Sequence, residues 1–312
     1  MFSLKTKRDH KLTAGLTLSS EGIALAIISH ESALPTLFHA EFYPSTHAEQ
    51  PSLLAKLKQQ HRLDQYPCNL VLSPDEYQLL QVESPDVPSQ EQGAAIRWRI
   101  KDLIDFHIDD AVIDLINLPG GQASGQRSVQ VIACRKSIIQ RYVDQLHAAN
   151  FALNTIDIAE LSARNLLRQQ AEQKEAIALL NLWSEYARIS LYLDNDLYLS
   201  RTSSIGLNTL AHIFEDDNID DAGLMVVDSL ALELQRTFDY YESHSRQTPI
   251  QQLYIQANHP FSAKLAELIQ QRTGINTQEV NIDSLVKNDP NNAISLPSRC
   301  LSAIGGALRP EH

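Results

Sequence analysis

Residues 15–28 read GLTLSSEGIALAII and outline two short strands around a tight turn. Apolar residues dominate on both sides, and SSEG at 19–22 supplies the small and polar residues that turns favour. The pattern predicts strands over 12–18 and 23–29. A third run, TLFHAEFY at 36–43, extends the hairpin to a three-stranded meander.

The same outline recurs in the second half of the chain, as LNLWSEYARISLYL at 180–193. The two copies pair Leu18 with Leu182, Ser20 with Ser184, Glu21 with Glu185, Leu25 with Ile189 and Ile27 with Leu191. Each copy is followed by segments that alternate between helix and strand patterns. The sequence therefore predicts an internal duplication.

Further elements follow each meander. The first half continues with a predicted helix over 48–60 and a predicted strand over 68–72. The strands of the second meander are predicted at 177–182, 186–193 and 197–201, with Asp194-Asn195-Asp196 as the turn before the last. Beyond it the predicted elements are helices 206–214 and 222–244, strand 251–256, helix 260–273 ended by Gly274, and strand 275–280.

An insert of about 65 residues separates the halves, and three units are predicted: 1–85, 86–150 and 151–312. Ser89 and Gln92 form a candidate capping box for its first helix. That helix has apolar residues at Ile96, Ile100, Leu103 and Ile104. Strands at 111–117 and 128–134 flank the loop PGGQASGQR, and a helix carrying Ile139, Tyr142, Val143 and Leu146 closes this α-β-β-α block.

Composition indicates an ordinary globular protein, with 43% hydrophobic and 21% charged residues. A net charge of −12 argues against non-specific binding to nucleic acid or to an anionic membrane. No apolar run approaches the roughly 20 residues of a transmembrane helix, and no export signal is expected at the N-terminus. Cys68, Cys134 and Cys300 lie far apart, so they are predicted to be reduced core thiols of a cytosolic protein.

Three blocks of sequence narrow the duplicated plan to one family. They are AIRWRIKDLIDFHIDDAVIDLINLP at 95–119, LALELQRTFDYYES at 230–243 and CLSAIGGALRP at 300–310. With these blocks the chain resembles the PilM-like branch of the actin-like ATPase superfamily, and within it the relatives that serve mannose-sensitive haemagglutinin (MSHA) pilus biogenesis. The resemblance implies an α/β, actin-like (ribonuclease H-like) duplicated fold with a small α+β subdomain inserted in the first half.

The resemblance also implies a function and a location. Family members are cytoplasmic and reach the inner membrane only through partners. Such a protein docks on the cytosolic tail of a PilN-like inner-membrane protein, and a second implied partner is the assembly motor ATPase of the type IV pilus. The tail is expected to lie in a groove between the insert and the first half.

Actin-like ATPases hold the phosphates of ATP between two hairpins, where backbone amides approach the oxygens and acidic side chains position Mg²⁺. In the PilM-like pattern the first hairpin reads G-x-D-I-G-S-S-x-x-K. This chain keeps Gly15 and Ser20, but it has Thr17 in place of the acid, Ser19 in place of the glycine and Ala24 in place of the cation.

The second hairpin should read D-I-G, and it reads Asn181-Leu182-Trp183, so a tryptophan is expected to block the phosphate. The glycine run that accepts adenosine is replaced by 256–260, QANHP, whose proline has no amide to donate. We therefore expect no ordinary ATP–Mg²⁺ hydrolysis, no catalytic residue, no metal and no cofactor. The degenerate cleft is predicted to include Gly15, Thr17, Ser19, Ser20, Asn181, Trp183, Glu233, Arg236 and Gly305.

Several of these features have a second interpretation. Glu233 and Arg236 match positions that approach the nucleotide in the family, and an ion pair within the helix explains them equally well. Trp98, between Arg97 and Arg99, suits contact with a partner, and edge-of-core packing is the competing interpretation. His107 lies among Asp102, Asp105, Asp109 and Asp110, which are expected to be solvated acids because no metal-ligand spacing is present. The acids at 216–221 are expected to form a solvated loop.

Three functions stay open on the sequence. The first is a non-catalytic adaptor. The second is a nucleotide-switched PilM-like ATPase, in which Ser19, Ser20 and Asn181 replace the lost groups. The third is an analogue of the cytoplasmic domain of the type II secretion L protein, which holds its own motor ATPase but carries a transmembrane helix.

Overall fold

A computed structural model describes most of the chain. It covers residues 12–32, 34–118, 128–168, 176–194, 196–215, 219–245, 249–257, 259–281, 285–288 and 298–310. Predictions for the loop at 119–127, for Asn195, for Asn258 and for Asp216 and Asp217 lie outside the described residues. No helix in the described ranges is both long and apolar enough to span a bilayer.

The first sheet has six strands. They are β1 (Leu12–Ser19), β2 (Gly22–Ser29), β3 (Thr36–Pro44), β4 (Cys68–Leu72), β8 (Leu153–Ile158) and β14 (Lys287–Asn288). The order across the sheet is β14-β3-β2-β1-β4-β8. The meander β1-β2-β3 is antiparallel, and β4 and β8 continue parallel to β1.

The second sheet repeats this plan. Its strands are β9 (Ala176–Leu182), β10 (Ala187–Leu193), β11 (Asp196–Ser203), β12 (Gln252–Gln256) and β13 (Asn276–Glu279). The order β11-β10-β9-β12-β13 matches β3-β2-β1-β4-β8 strand for strand. The predicted internal duplication is therefore confirmed in the topology.

In the described ranges, seven helices pack against or between these two sheets. They are α1 (Gln50–His61), α3 (Lys136–Ala148), α4 (Ala159–Leu167), α5 (Leu207–Ile213), α6 (Asp221–Ser245), α7 (Ser262–Thr273) and α8 (Leu301–Ala307). Buried side chains of α1 and α3 join the core on one face of the first sheet, and those of α6 and α7 join the core on one face of the second. Residues of α4 and α8 form a third core with the inner faces of both sheets. The helices α4 and α8 thus lie between the halves.

Close backbone approach fixes the position of α8. A Cβ added at Gly15 of β1 would lie 1.8 Å from the carbonyl oxygen of Ala303 in α8. A Cβ added at Gly305 of α8 would lie 2.3 Å from the carbonyl oxygen of Ser162 in α4. Both glycines therefore serve packing, because any larger residue would separate the backbones that meet there.

The insert contains a third sheet, in the order β5-β7-β6. Its elements are β5 (Tyr77–Glu83), α2 (Ser89–Ile100), β6 (Ala111–Asn117) and β7 (Ser128–Arg135). The strand β5 was not predicted and begins before the expected boundary at 86. Buried Ile96 and Ile100 of α2 pack on this sheet, whereas α3 contributes its buried side chains to the core of the first sheet.

Two predictions for the insert are wrong. Leu103 was expected to face inward but is 56% exposed, because α2 ends at Ile100 and the chain continues as a turn. Ser89 was expected to be the N-cap, but it is the first residue of α2 and Pro88 precedes it, and the Gln92 amide donates to the Ser84 hydroxyl. The division at 85/86 and 150/151 stays a prediction, although β5 pairs with the insert and β8 with the first sheet.

A histidine pair joins β3 to the end of α1. The ring centroids of His39 and His61 are 4.3 Å apart, and Nε2 of His39 lies 2.8 Å from the hydroxyl oxygen of Tyr43. Burial lowers the pKa of His61 to about 4, and the neighbouring His39 adds to the effect. Burial also lowers the pKa of His39, against the opposing charge of Glu41. Both rings are therefore neutral in the folded protein at neutral pH.

We expect this pair to make stability fall with acidification. Below about pH 6.5 the unfolded chain binds protons at both histidines, whereas the folded chain resists protonation of His61 until about pH 4, and its lowered pKa makes His39 resist as well. The free energy of unfolding should decrease across that window by about 1 kcal/mol for His61, since the ring is partly solvated. In urea titrations His61→Gln should flatten the profile between pH 6.5 and 4. Parallel profiles for the variant and the wild type would contradict the assignment.

Candidate functional site

Side-chain hydrogen bonds stabilise the turn of the first hairpin. The Ser19 hydroxyl donates to the Gly22 carbonyl at 3.3 Å and accepts from the Glu21 amide at 3.3 Å. The Gln50 amide at the start of α1 donates to the Ser19 carbonyl at 2.7 Å. The turn that was expected at the phosphate position is thus stabilised from within and from α1.

Among the predicted cleft residues of this hairpin, Thr17 and Ser20 keep exposed surface, whereas Gly15 packs against α8. Thr17 is half-buried and is the register partner of Ala24, and Ser20 is exposed at the turn. Gly15 lies two residues before Thr17, so both face the side of the sheet that α8 covers. The packing of α8 accounts for Gly15, and the same holds for Gly305 at the crossing with α4. Their role in a nucleotide cleft stays a prediction.

The second hairpin carries an aromatic stack. The ring of Trp183 lies on the ring of Tyr186, with centroids 5.4 Å apart and an interplanar angle of 16°. The Trp183 amide donates to the Tyr186 carbonyl at 2.9 Å, and the amide of Leu207 donates to the Trp183 carbonyl at 2.7 Å. Burial, followed by the nearby charge of Asp75, raises the pKa of Tyr186 to about 12. Whether Trp183 blocks a phosphate stays a prediction.

Side chains at the ends of four strands form one polar row. Register places Thr202 of β11, Arg188 of β10, Asn181 of β9 and Gln256 of β12 side by side. Asn181 alternates with Ile177 and Leu179 along β9, and its register partners lie on the same face of the sheet, so the row faces α4, α8 and the first half. Asn181 and Gln256 are buried, and the side-chain oxygen of Gln256 has no partner within the described residues.

The remaining predicted cleft residues, Glu233 and Arg236, lie on α6, and the segment 256–260 that replaces the adenosine glycines begins at the end of β12. Glu233 is half-buried and Arg236 is exposed. Among the described residues, no salt bridge joins their side chains. The Glu233 carbonyl accepts from the Thr237 hydroxyl at 2.7 Å. The His259 ring packs against Phe261, 4.2 Å away, at the start of α7.

A buried acid near these hairpins was missed in the sequence. Glu160, at the start of α4, is 3% exposed and is hydrogen-bonded by the hydroxyl groups of Tyr77 and Ser200. Nη1 of Arg188 lies 3.7 Å from its carboxylate. Burial, with the charge of Glu160 next, raises the pKa of Tyr77 well above its usual value, so its hydroxyl stays a donor. The four residues come from four separated segments, and no local pattern connects them.

The surface of α2 presents the candidate partner-binding residues. Trp98 is 72% exposed, so its ring does not pack at the edge of the core, and Nζ of Lys101 lies 4.7 Å from the ring centroid. Arg97 is turned inward and donates to the carbonyls of Ile108 and Ala111. Arg99 pairs with Glu83 at 3.4 Å. The three neighbours therefore differ, and only Trp98 offers a large free contact area.

His107 and its acidic neighbours form local contacts. His107 accepts a hydrogen bond from the Asp109 amide at 3.4 Å, and Asp105 pairs with Arg135 at 3.3 Å. Over the part of the chain that the structure describes, no group of three or more His, Cys, Asp or Glu residues is placed to hold a metal ion.

Comparisons with known proteins identify the fold. No protein-family profile matches the sequence. No curated protein matches it either. Among solved structures, the PilM–PilN type IV pilus biogenesis complex superposes with a TM-score of 0.73 at 19% identity, over 96% of this chain and 97% of that one.

Two further structures share the fold at lower similarity. The cytoplasmic domain of EpsL, an inner-membrane component of the type II secretion system of Vibrio cholerae, gives a TM-score of 0.53 at 11% identity, over 96% of this chain and 95% of that one. A Bacteroides thetaiotaomicron protein of unknown function with an actin-like ATPase fold gives 0.52 at 8% identity, over 91% and 98% of the two chains.

Proposed function

We propose, starting from this PilM-like actin-like ATPase fold, that the protein is a non-catalytic cytoplasmic adaptor of MSHA-type type IV pilus biogenesis. In this proposal it is a counterpart of MshI. It docks the cytosolic tail of a PilN-like inner-membrane protein and links that tail to the assembly motor. The observation that carries the proposal is the full-length likeness to a structure whose two named components are PilM and PilN.

The geometry of the hairpins supports the non-catalytic part. Catalysis with Mg²⁺ needs oxygen ligands from acidic side chains close to the phosphates. Thr17 and Asn181 stand at the two positions where the family pattern has Asp. Glu160 is a buried acid in contact with Arg188 of the second hairpin, and both of its carboxylate oxygens already have partners within the chain.

The surface of the insert supports the docking part. Tryptophan is enriched among the residues that contribute most to binding at the centres of protein interfaces. Trp98 projects from α2 beside Lys101, so it offers an aromatic face and a nearby cation to a peptide. We assign the partner-binding role mainly to Trp98, because Arg97 and Arg99 already bind groups of the insert.

A titration with the tail peptide tests the proposal. The full chain and a synthetic peptide of the cytosolic tail of the PilN-like protein are mixed in a calorimeter. Saturable binding with a micromolar Kd is expected. A peptide of the same composition in scrambled order is the control, and equal heats for both peptides would count against specific docking.

The likeness to the EpsL cytoplasmic domain favours a second candidate. An analogue of that domain would hold the motor ATPase directly. Cross-linking in the assembled complex distinguishes the two candidates, because contacts confined to the motor would favour the second. Contacts between the α2 surface and the PilN-like tail would favour the first.

A further inference from the structure

The buried carboxylate of Glu160 lies at the meeting point of the two halves. Its Oε2 accepts from the Tyr77 hydroxyl, and its Oε1 accepts from the Ser200 hydroxyl at 3.2 Å. Nη1 of Arg188 lies 3.7 Å from Oε1. The side chain of Glu160 is 2% exposed and that of Arg188 is 13% exposed, so this ion pair is shielded from water.

The partners of Glu160 come from both sides of the molecule. Tyr77 begins β5, directly after the loop that follows β4 of the first sheet. Arg188 and Ser200 lie on β10 and β11 of the second sheet. Glu160 itself lies on α4, one of the two helices between the sheets. The carboxylate therefore joins groups that are otherwise carried by separate halves.

Backbone groups extend the same junction. Nη2 of Arg188 donates to the Pro74 carbonyl at 3.1 Å, which ties β10 directly to the loop after β4. The hydroxyl of Tyr192 donates to the Glu160 carbonyl at 2.8 Å. The Ala159 amide donates to the Tyr77 hydroxyl at 3.2 Å. The backbone at the start of α4 is thus held by both halves as well.

Strand geometry explains why the second sheet supplies several of these groups. Arg188, Ser190 and Tyr192 alternate along β10, so their side chains emerge on one face. Tyr192 places that face against α4 and α8. The turn of the same hairpin reinforces the junction, because the hydroxyl of Tyr186 is hydrogen-bonded to the side chain of Ser73 in the loop after β4.

We propose that Tyr77, Glu160, Arg188 and Ser200 form a latch that holds the two halves together independently of any bound ligand. The latch concerns the mechanics of this chain and does not rest on the proposed adaptor function. Separation of the halves would break the ion pair and leave each charge to be rehydrated. Removal of one partner in the closed state leaves the other charge buried and uncompensated. The contact between the two halves therefore depends on these four side chains and not on a bound ligand.

Amide hydrogen exchange of the full chain, with no partner added, tests the latch. Arg188→Met keeps the bulk of the side chain and removes the charge. We expect amides in the loop at 73–77 and in the hairpin at 183–186 to exchange together, at least about tenfold faster than in the wild type. Amides in the middle of β1 and β9 should keep their protection, because each sheet stays folded when the halves separate.

A matched control is available in a second buried ion pair. Arg309 contacts the Asp157 carboxylate, which is as buried as Glu160, but this pair joins β8 to the segment after α8. Arg309→Met should accelerate exchange in those segments and leave 73–77 and 183–186 unchanged. Uniform acceleration in both variants would overturn the latch, since it would indicate general loss of stability.

A milder variant keeps the test decisive if Arg188→Met does not fold. Tyr77→Phe removes only the hydroxyl that Glu160 accepts from, and exchange at 183–186 should rise about threefold. In a Trp98→Phe background Trp183 is the single tryptophan of the chain, so acrylamide quenching reports on the second hairpin. Greater quenching in Tyr77→Phe supports the latch. Unchanged quenching together with unchanged exchange at 73–77 and 183–186 overturns it.

Discussion

Gly15→Ala is expected to lower the free energy of unfolding by about 3 kcal/mol or more. The new Cβ would lie 1.8 Å from the carbonyl oxygen of Ala303 and 2.6 Å from the amide nitrogen of Ala307. Both atoms belong to the backbone of α8, which cannot rotate away as a side chain can. The helix would have to move off β1, and the core between the sheets would lose contacts. Urea denaturation followed by circular dichroism measures the change.

Gly93→Ala is the matched control for this substitution. Gly93 lies within α2, and a Cβ added there meets no atom within 4 Å. Alanine at an exposed helix position should raise the free energy of unfolding by about 0.5 to 1 kcal/mol. If Gly15→Ala is as stable as the wild type, then α8 does not approach β1 as closely as the structure has it. Gly15 would then need another explanation, such as the ancestral phosphate loop.

Trp98→Ala is expected to weaken binding of the PilN-like tail by tenfold or more, a loss of about 1.4 kcal/mol or greater. The indole is 72% exposed in the free protein, so its area is available for a partner. For the same reason the free energy of unfolding should change by no more than about 0.5 kcal/mol. Calorimetric titration with the tail peptide gives the Kd, and thermal unfolding of each variant gives the stability.

Met225→Ala provides the comparison at a second exposed apolar residue. Met225 is 69% exposed and lies on α6, which packs on the second sheet and not on the insert. Tail binding by this variant should equal that of the wild type. If both variants weaken binding equally, the tail does not recognise the α2 surface specifically. If Trp98→Ala binds normally, the partner-binding assignment of Trp98 is wrong.

Much of the architecture could be predicted because the duplicated meander carries local signals. Alternating apolar residues and a short turn define β1 and β2, and the second copy repeats them at β9 and β10. The helix predicted at 222–244 agrees with α6 to within one residue at each end. Amphipathic periodicity over many turns leaves few alternatives for such a segment.

The missed elements have weak local signals for physical reasons. The strand β8 reads LNTIDI, in which apolar and polar residues do not alternate regularly, and it is an edge strand of the first sheet. The helix α8 contains Gly305 and Gly306, which disfavour a helix in isolation. It forms because burial between the sheets compensates, with all but one of its residues buried. Such stabilisation depends on tertiary contacts that no sequence window contains.

The candidate site was predictable to a similar extent. The two hairpins were located correctly, and their substitutions can be read directly from the sequence. The partners of Glu160 could not be found in this way, because residues 77, 160, 188 and 200 meet only after both sheets have formed. The sequence also does not show that Arg97 is turned inward, Trp98 is exposed and Arg99 is paired with Glu83. Neighbouring helix residues point in different directions, so the structure is needed to distinguish them.

A non-catalytic adaptor should dock the tail whether or not a nucleotide is present. The most direct test titrates the full chain with the PilN-like tail peptide twice, once in buffer and once with millimolar ATP and Mg²⁺. A separate titration of ATP–Mg²⁺ into the chain alone accompanies the pair. We expect the same micromolar Kd for the tail in both conditions and no saturable heat from ATP–Mg²⁺. Saturable binding of ATP–Mg²⁺, with tail binding that appears only in its presence, would contradict it.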